Sequence, residues 1–212
     1  MRDLVLPPRG ALPKTSDEDP LDYYYGLTAP LYRGRLSLAA RLLSRGHRSL
    51  LDIGYGSGIF FPELARRAQR LAGVEVHDGT AVSSALARLG LDVELRSGSI
   101  YALPAGDGEF DALVSLSVLE HLQPLEPAFR ELRRVLELRG VAVLGFPVRH
   151  ALTDLFFRAF GYDPRALHPS SHADVLAAAR ASDGFALERV ATFPRFLPVG
   201  ASAYVVCALR AV

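Results

Sequence analysis

Apolar residues in this chain fall into short blocks that alternate between two rhythms. Runs of aliphatic and β-branched residues read as buried strands. The first ends at Ile53 after Ser49, Leu50 and Leu51, and others follow at about 71–76, 92–96, 110–115 and 141–146. Between them, apolar positions at helical spacing predict helices, one of them over Phe60–Gln69, and a further helix over about 36–45 precedes the first strand. Strands separated by helices imply parallel βαβ units with right-handed crossovers. The last third changes rhythm: a helix at about 172–182, then apolar runs at Phe185–Phe193 and Ala203–Leu209. Pro194, Pro198 and Gly200 between those two runs predict a hairpin-like return. Residues 1–20 are rich in proline and charge (Pro7-Pro8, Asp17-Glu18-Asp19-Pro20) and predict a loose arm.

The junction between the first strand and its helix carries the chemistry. Leu51-Asp52-Ile53-Gly54-Tyr55-Gly56-Ser57-Gly58 joins a buried strand to a turn from which three side chains are missing. Without Cβ the backbone can take positive φ and a ligand can approach the main chain. The start of the following helix offers N–H groups to a polar ligand. A dinucleotide fingerprint would place a third glycine at position 59, which is Ile59. A P-loop is excluded because the only lysine is Lys14. Asp52, just before the turn, would repel a pyrophosphate and suit a ligand bearing an ammonium or sulfonium charge.

With these residues the chain resembles the class I S-adenosylmethionine-dependent methyltransferases of the small methyltransferase type 11 kind, from about residue 36 to the C-terminus. Three further stretches carry the likeness: Leu71–Val76, with an acid ending the second strand; Gly98–Pro104 running into Glu109–Leu122; and Glu131–Leu136 followed by Arg139–Leu144. The resemblance implies a Rossmann-like α/β fold: a seven-stranded, mostly parallel sheet with helices on both faces and an antiparallel final strand beside the fifth. The domain would span 36–212, with 1–35 an N-terminal arm and possible lid. S-adenosyl-L-methionine would be the cofactor and S-adenosyl-L-homocysteine its product. Glu75, 21 positions after Gly54, would hold the two ribose hydroxyls, and Asp52 the amino-acid end. Gly54, Tyr55, Gly56, Gly58, Val76, Ser99, Ile100, Ser115 and Leu116 complete the implied cofactor set. Ser99 departs from the aspartate common at this place; its neutral hydroxyl makes a weaker contact with adenine. Tyr55 departs from the small residue usual in the turn, and its ring either packs across the cofactor, narrows the entrance or turns to solvent.

Methyl transfer from a sulfonium is an in-line displacement, so alignment and exclusion of water dominate and a general base is optional. His121, after the fourth strand, His150, after the fifth, and His172 are the catalytic candidates, with His168 a further group on the substrate side. For His121 the preferred reading is a helix-start residue tying loops together, because the resemblance carries this Glu120-His121 pair across varied substrates. No metal site is expected. Substrate recognition falls to the tyrosines of the arm and to the aromatic stretch 148–172, either as a lid or as a cover for the core.

Composition bounds this picture without deciding it. At 212 residues and 50 % apolar, the chain suits one α/β domain. A net charge of +1 gives no electrostatic case for nucleic acid, and Arg66-Arg67 and Arg133-Arg134 read as solvated helix faces. Cys207 stands alone in an apolar strand, so no internal disulfide forms. No apolar run reaches membrane-spanning length. The expectation is a cytoplasmic monomer or homodimer that methylates a small molecule, at oxygen or carbon ahead of nitrogen. A catalytically silent module supporting a partner enzyme is the alternative.

Overall fold

The computed structural model describes residues 4–16, 19–149 and 168–212. Seven strands form one sheet: β1 (His47–Ile53), β2 (Ala68–Glu75), β3 (Glu94–Ser97), β4 (Phe110–Leu116), β5 (Leu136–Pro147), β6 (Phe185–Phe193) and β7 (Tyr204–Ala211). Their order is β3-β2-β1-β4-β5-β7-β6. The pairs β1–β2, β1–β4, β2–β3 and β4–β5 are parallel, and β7 runs antiparallel to both β5 and β6. The expected antiparallel strand beside the fifth and the hairpin-like return are both present.

Period-two alternation explains why the central strands look uniformly apolar. Leu50, Ala112, Val114, Val143 and Val206 face one hydrophobic layer. Their neighbours Leu51, Leu113, Leu144, Val205 and Cys207 face the other. The first layer is closed by α1 (Ala29–Leu42), α2 (Phe61–Leu64) and α3 (Thr80–Arg88), the second by α4 (Glu126–Val135) and α5 (His172–Ala181). Helix α4 buries Ala128, Phe129, Leu132 and Val135, a stripe at helical spacing, and α5 starts on a capping box between Ser171 and Asp174.

Four expectations change. The helix after the glycine turn is one turn long instead of spanning Phe60–Gln69, because β2 already pairs with β1 from Ala68 opposite His47, so the sheet claims the residues that a longer helix would use. No helix links β3 to β4; residues 98–109 are turns with one isolated bridge. Residues 4–16 are tied down: Val5 N–H donates to Glu63 (2.9 Å), Tyr25 Oη donates to the Pro7 carbonyl (2.7 Å), and Leu12 joins the core. The residue-35 boundary therefore falls inside α1. The paired arginines are crosslinks as well as surface: Arg67 holds buried Glu63 and the Leu43 carbonyl, and Arg134 holds Glu131, Asp107 and the carbonyls of Leu103 and Ala105. Among the described residues no helix is long and apolar enough to cross a membrane.

Candidate functional site

A cavity of about 970 Å³ opens beyond the carboxyl ends of the parallel strands, where the chain order reverses on either side of β1. Strands β1, β2, β4 and β5 each bring residues at or just beyond their carboxyl ends to it. Asp52 and Gly54 come from β1, Glu75 and Val76 from β2, Leu116 and Ser117 from β4, and Val148 and Arg149 follow β5.

The glycine turn takes the conformation its residues require. Gly54, Gly56 and Gly58 all have positive φ (77°, 53° and 79°). A Cβ on Gly54 would lie 2.2 Å from Val118 Cγ2, whereas one on Gly56 would meet nothing within 4 Å. The turn's N–H groups are largely spent within the protein: Gly54 N–H donates to the Val74 carbonyl (2.8 Å), Gly58 N–H to the Tyr55 carbonyl (2.9 Å) and Gly56 N–H to Glu75 Oε2 (3.1 Å). Its contribution to a ligand is therefore space and a fixed carboxylate more than free donors. Glu75 is held at both oxygens, since Val76 N–H donates to Oε1 (2.8 Å). Each oxygen keeps further acceptor capacity beyond these bonds.

Asp52 is buried, and its carboxyl is pushed up to about 8, first by burial and then by the nearby Glu75 carboxylate. Across the same cavity lies Arg35, from α1, whose guanidinium donates to Tyr24 Oη (2.5 Å) and to Ser117 Oγ (3.2 Å). It also sits 4.4 Å from the centre of the Tyr32 ring, and its Nε is buried without a hydrogen-bond partner. Ser117 has φ 61°, unusual for a residue with a side chain. That conformation is over-determined by its N–H donating to the Gly145 carbonyl (2.7 Å) and by its hydroxyl meeting Tyr204 Oη (3.0 Å).

Most residues expected from the sequence come together here. Asp52, Gly54, Tyr55, Gly56, Glu75, Val76, Ser99, Ile100, Leu116, His121 and His168 all line the cavity. Gly58 and Ser115 do not: Gly58 packs on Val82 and Phe61, and Ser115 Oγ donates to the Ile53 carbonyl (3.1 Å), joining β4 to β1. His172, the first residue of α5, is also absent from the lining. His150 lies outside the described residues, as do the aromatic residues 155–162. Tyr55 follows none of its sequence-based alternatives fully. Its ring is buried in the first layer against Phe61 (5.7 Å) and edge-on to His77 (5.6 Å), and burial pushes its hydroxyl up to about 12. Ser99 Oγ accepts from Tyr101 N–H (3.2 Å), which leaves its own hydrogen to donate. Arg35, Ser117 and Tyr204 escaped the sequence reading, because a lone arginine on an amphipathic helix gives no sign that it is buried.

The chain is similar to known proteins in sequence and in fold. The methyltransferase domain family matches residues 51–144. An uncharacterized methyltransferase of Mycobacterium sp. (strain JLS) is 30% identical over 182 residues, covering 76% of this chain and 70% of that protein. The N-methyltransferase NodS of Bradyrhizobium japonicum WM9, solved in complex with S-adenosyl-L-homocysteine, superposes with a TM-score of 0.69 at 19% identity, covering 93% of this chain and 94% of that one. A geranyl diphosphate methyltransferase in complex with S-adenosylmethionine superposes with a TM-score of 0.67 at 18% identity, covering 87% and 88%. At such identities the structural likenesses establish the fold alone.

Proposed function

Because the chain belongs to the class I S-adenosylmethionine-dependent methyltransferases, we propose that it methylates a small molecule, at oxygen or carbon, in the cavity between the glycine turn and α1. The observation that carries this reading is the set of ionisable groups lining that cavity: Asp52 and Glu75 from β1 and β2, and Arg35 from α1.

The residues fit the cofactor. S-adenosylmethionine, when bound, supplies a methyl group on a sulfonium together with a zwitterionic amino-acid end and a ribose. Gly56 leaves the open space that a side chain would fill. Glu75, locked at both oxygens, presents acceptors to the ribose hydroxyls. Asp52 suits the ammonium, and Arg35, whose Nε has no hydrogen-bond partner among the described residues, suits the carboxylate. Ile100 gives adenine an apolar wall, and Ser99 a donor. Gly58 and Ser115 support this frame from behind.

A cavity of about 970 Å³ is at the upper end of the range of roughly 300–1,000 Å³ usual for small-molecule sites, leaving room for an acceptor of modest size beside the cofactor. Orientation of bound reactants can account for about 7–11 kcal/mol of barrier, so the chain's main task is to align the acceptor and exclude water. His121 and His168 are the imidazoles on the acceptor side of the cavity. Incubating the protein with methyl-labelled cofactor and a small-molecule extract tests the proposal. Label in a low-molecular-mass product is the expected result. Label only in protein or RNA, or none at all despite cofactor binding, would overturn it, the latter in favour of a silent module.

A further inference from the structure

The same cavity holds a second constellation, apart from the residues assigned above to the cofactor. Glu120, His121 and His168 each bring one ligating atom within 4.8 Å of the others. They stand beyond the end of β4, whereas Asp52 and Glu75 belong to β1 and β2.

Three features make this a built site. Glu120 is only 3 % exposed, and among the described residues its Oε2 has no hydrogen-bond partner. Burial favours the neutral form of this carboxyl, the Arg35 guanidinium pulls it the other way, and a metal ion would complete the unpaired oxygen. The two imidazoles are held on separate segments that are pinned together: Ser170 N–H donates to the Glu120 carbonyl (3.2 Å), Ser170 Oγ to the Leu122 carbonyl (2.5 Å), and Arg149 to the His168 carbonyl (3.0 Å). This fixes the His121 and His168 rings 5.0 Å apart at 63°. The three ligating atoms already lie within 4.8 Å of one another, and bonds of about 2.0–2.2 Å to a common ion would draw them closer still.

We propose that Glu120, His121 and His168 bind a divalent first-row transition-metal ion, with its open coordination positions turned toward the acceptor side of the cavity. Two imidazole nitrogens and one carboxylate oxygen suit zinc, cobalt, nickel or iron, whereas calcium and magnesium prefer oxygen ligands throughout. Three protein ligands leave positions for water or an oxygen donor, the pattern of sites that act on a substrate. The two imidazoles then serve as ligands and not as bases. Resting on the methyl-transfer reading, the ion selects acceptors that offer it oxygen, which favours O-methylation.

Calorimetric titration of tag-free, chelator-stripped protein with Zn²⁺ tests the site, with Co²⁺ absorption in the visible as a direct signature of nitrogen and oxygen ligation. One ion per chain is expected, and Glu120→Gln and His168→Ala should each weaken binding at least tenfold. Failure of the wild-type protein to bind Zn²⁺ saturably, or equal affinity in both variants, would overturn the proposal. S-adenosylhomocysteine titrated into the same stripped protein separates the two readings: its binding without Zn²⁺ binding removes the ion site and leaves the cofactor cradle intact.

Discussion

Replacing Asp52 by asparagine should stabilise the ligand-free protein while weakening its hold on the cofactor. Asp52 ionises at 3.8 in an unfolded chain and at about 8 when buried beside Glu75. At pH 7 the folded protein therefore keeps a proton that the unfolded chain has lost. The native state carries no penalty from this group below 3.8, a growing one as pH rises from 3.8 to 8, and a constant one above. Each pH unit is worth about 1.36 kcal/mol, so the penalty at pH 7 is on the order of 4 kcal/mol and at pH 5 below about 2 kcal/mol. Asparagine has the same shape and no charge to lose. Urea unfolding of the ligand-free variant should thus show a gain approaching that size at pH 7, less the cost of burying the amide, and a smaller gain at pH 5. The ammonium of S-adenosylhomocysteine loses its anionic partner, so calorimetry should show at least tenfold weaker binding. With the wild type, this binding should release a proton near pH 7, seen as a dependence of the heat on the buffer's ionisation enthalpy. A variant less stable than wild type at pH 7, or equally stabilised at both pH values, would refute the reasoning.

Two further outcomes follow from the cradle's geometry. Gly54→Ala places a Cβ 2.2 Å from Val118 Cγ2 at φ 77° and should cost about 2–4 kcal/mol, part of which Val118→Ala in the same chain recovers; a double-mutant cycle with no coupling would contradict the contact. Arg35→Met should weaken S-adenosylhomocysteine at least tenfold and leave 5′-methylthioadenosine, which lacks the carboxylate, nearly unchanged; equal losses for both ligands would remove Arg35 from the amino-acid end.

The sheet was legible because its signals are local and redundant. Alternating strand and helix rhythms reveal βαβ units, and Phe185–Phe193 was read with the bounds that β6 adopts. The helix at Phe60–Gln69 was misread because pairing of His47 with Ala68, a contact between distant residues, decides where β2 begins. In the site, Asp52, the glycine turn and Glu75 could be found because their types and spacing match the pattern that the methyltransferase resemblance implies, and they meet in one cavity. Ser115 could not be distinguished from them: it sits at the correct strand end but spends its hydroxyl on Ile53. Arg35, Ser117 and Tyr204 come from three elements far apart in sequence, and their meeting depends on α1 crossing the ends of β4 and β7. Glu120 and His168 are likewise joined only when Ser170 binds the backbone around Glu120. Neither the burial of Glu120 nor the lack, among the described residues, of a hydrogen-bond partner for its Oε2 is written in local pattern.

The account stands most directly on Glu75, whose two oxygens are fixed by the amides of Gly56 and Val76 in front of the glycine turn. Calorimetry with S-adenosylhomocysteine on the wild type and on Glu75→Ala, each checked for an unchanged circular-dichroism spectrum, is the decisive measurement. One site per chain in the wild type and at least a tenfold loss in the folded variant are predicted. Equal affinity in the two proteins, or no saturable binding to the wild type, would contradict the cradle assigned here.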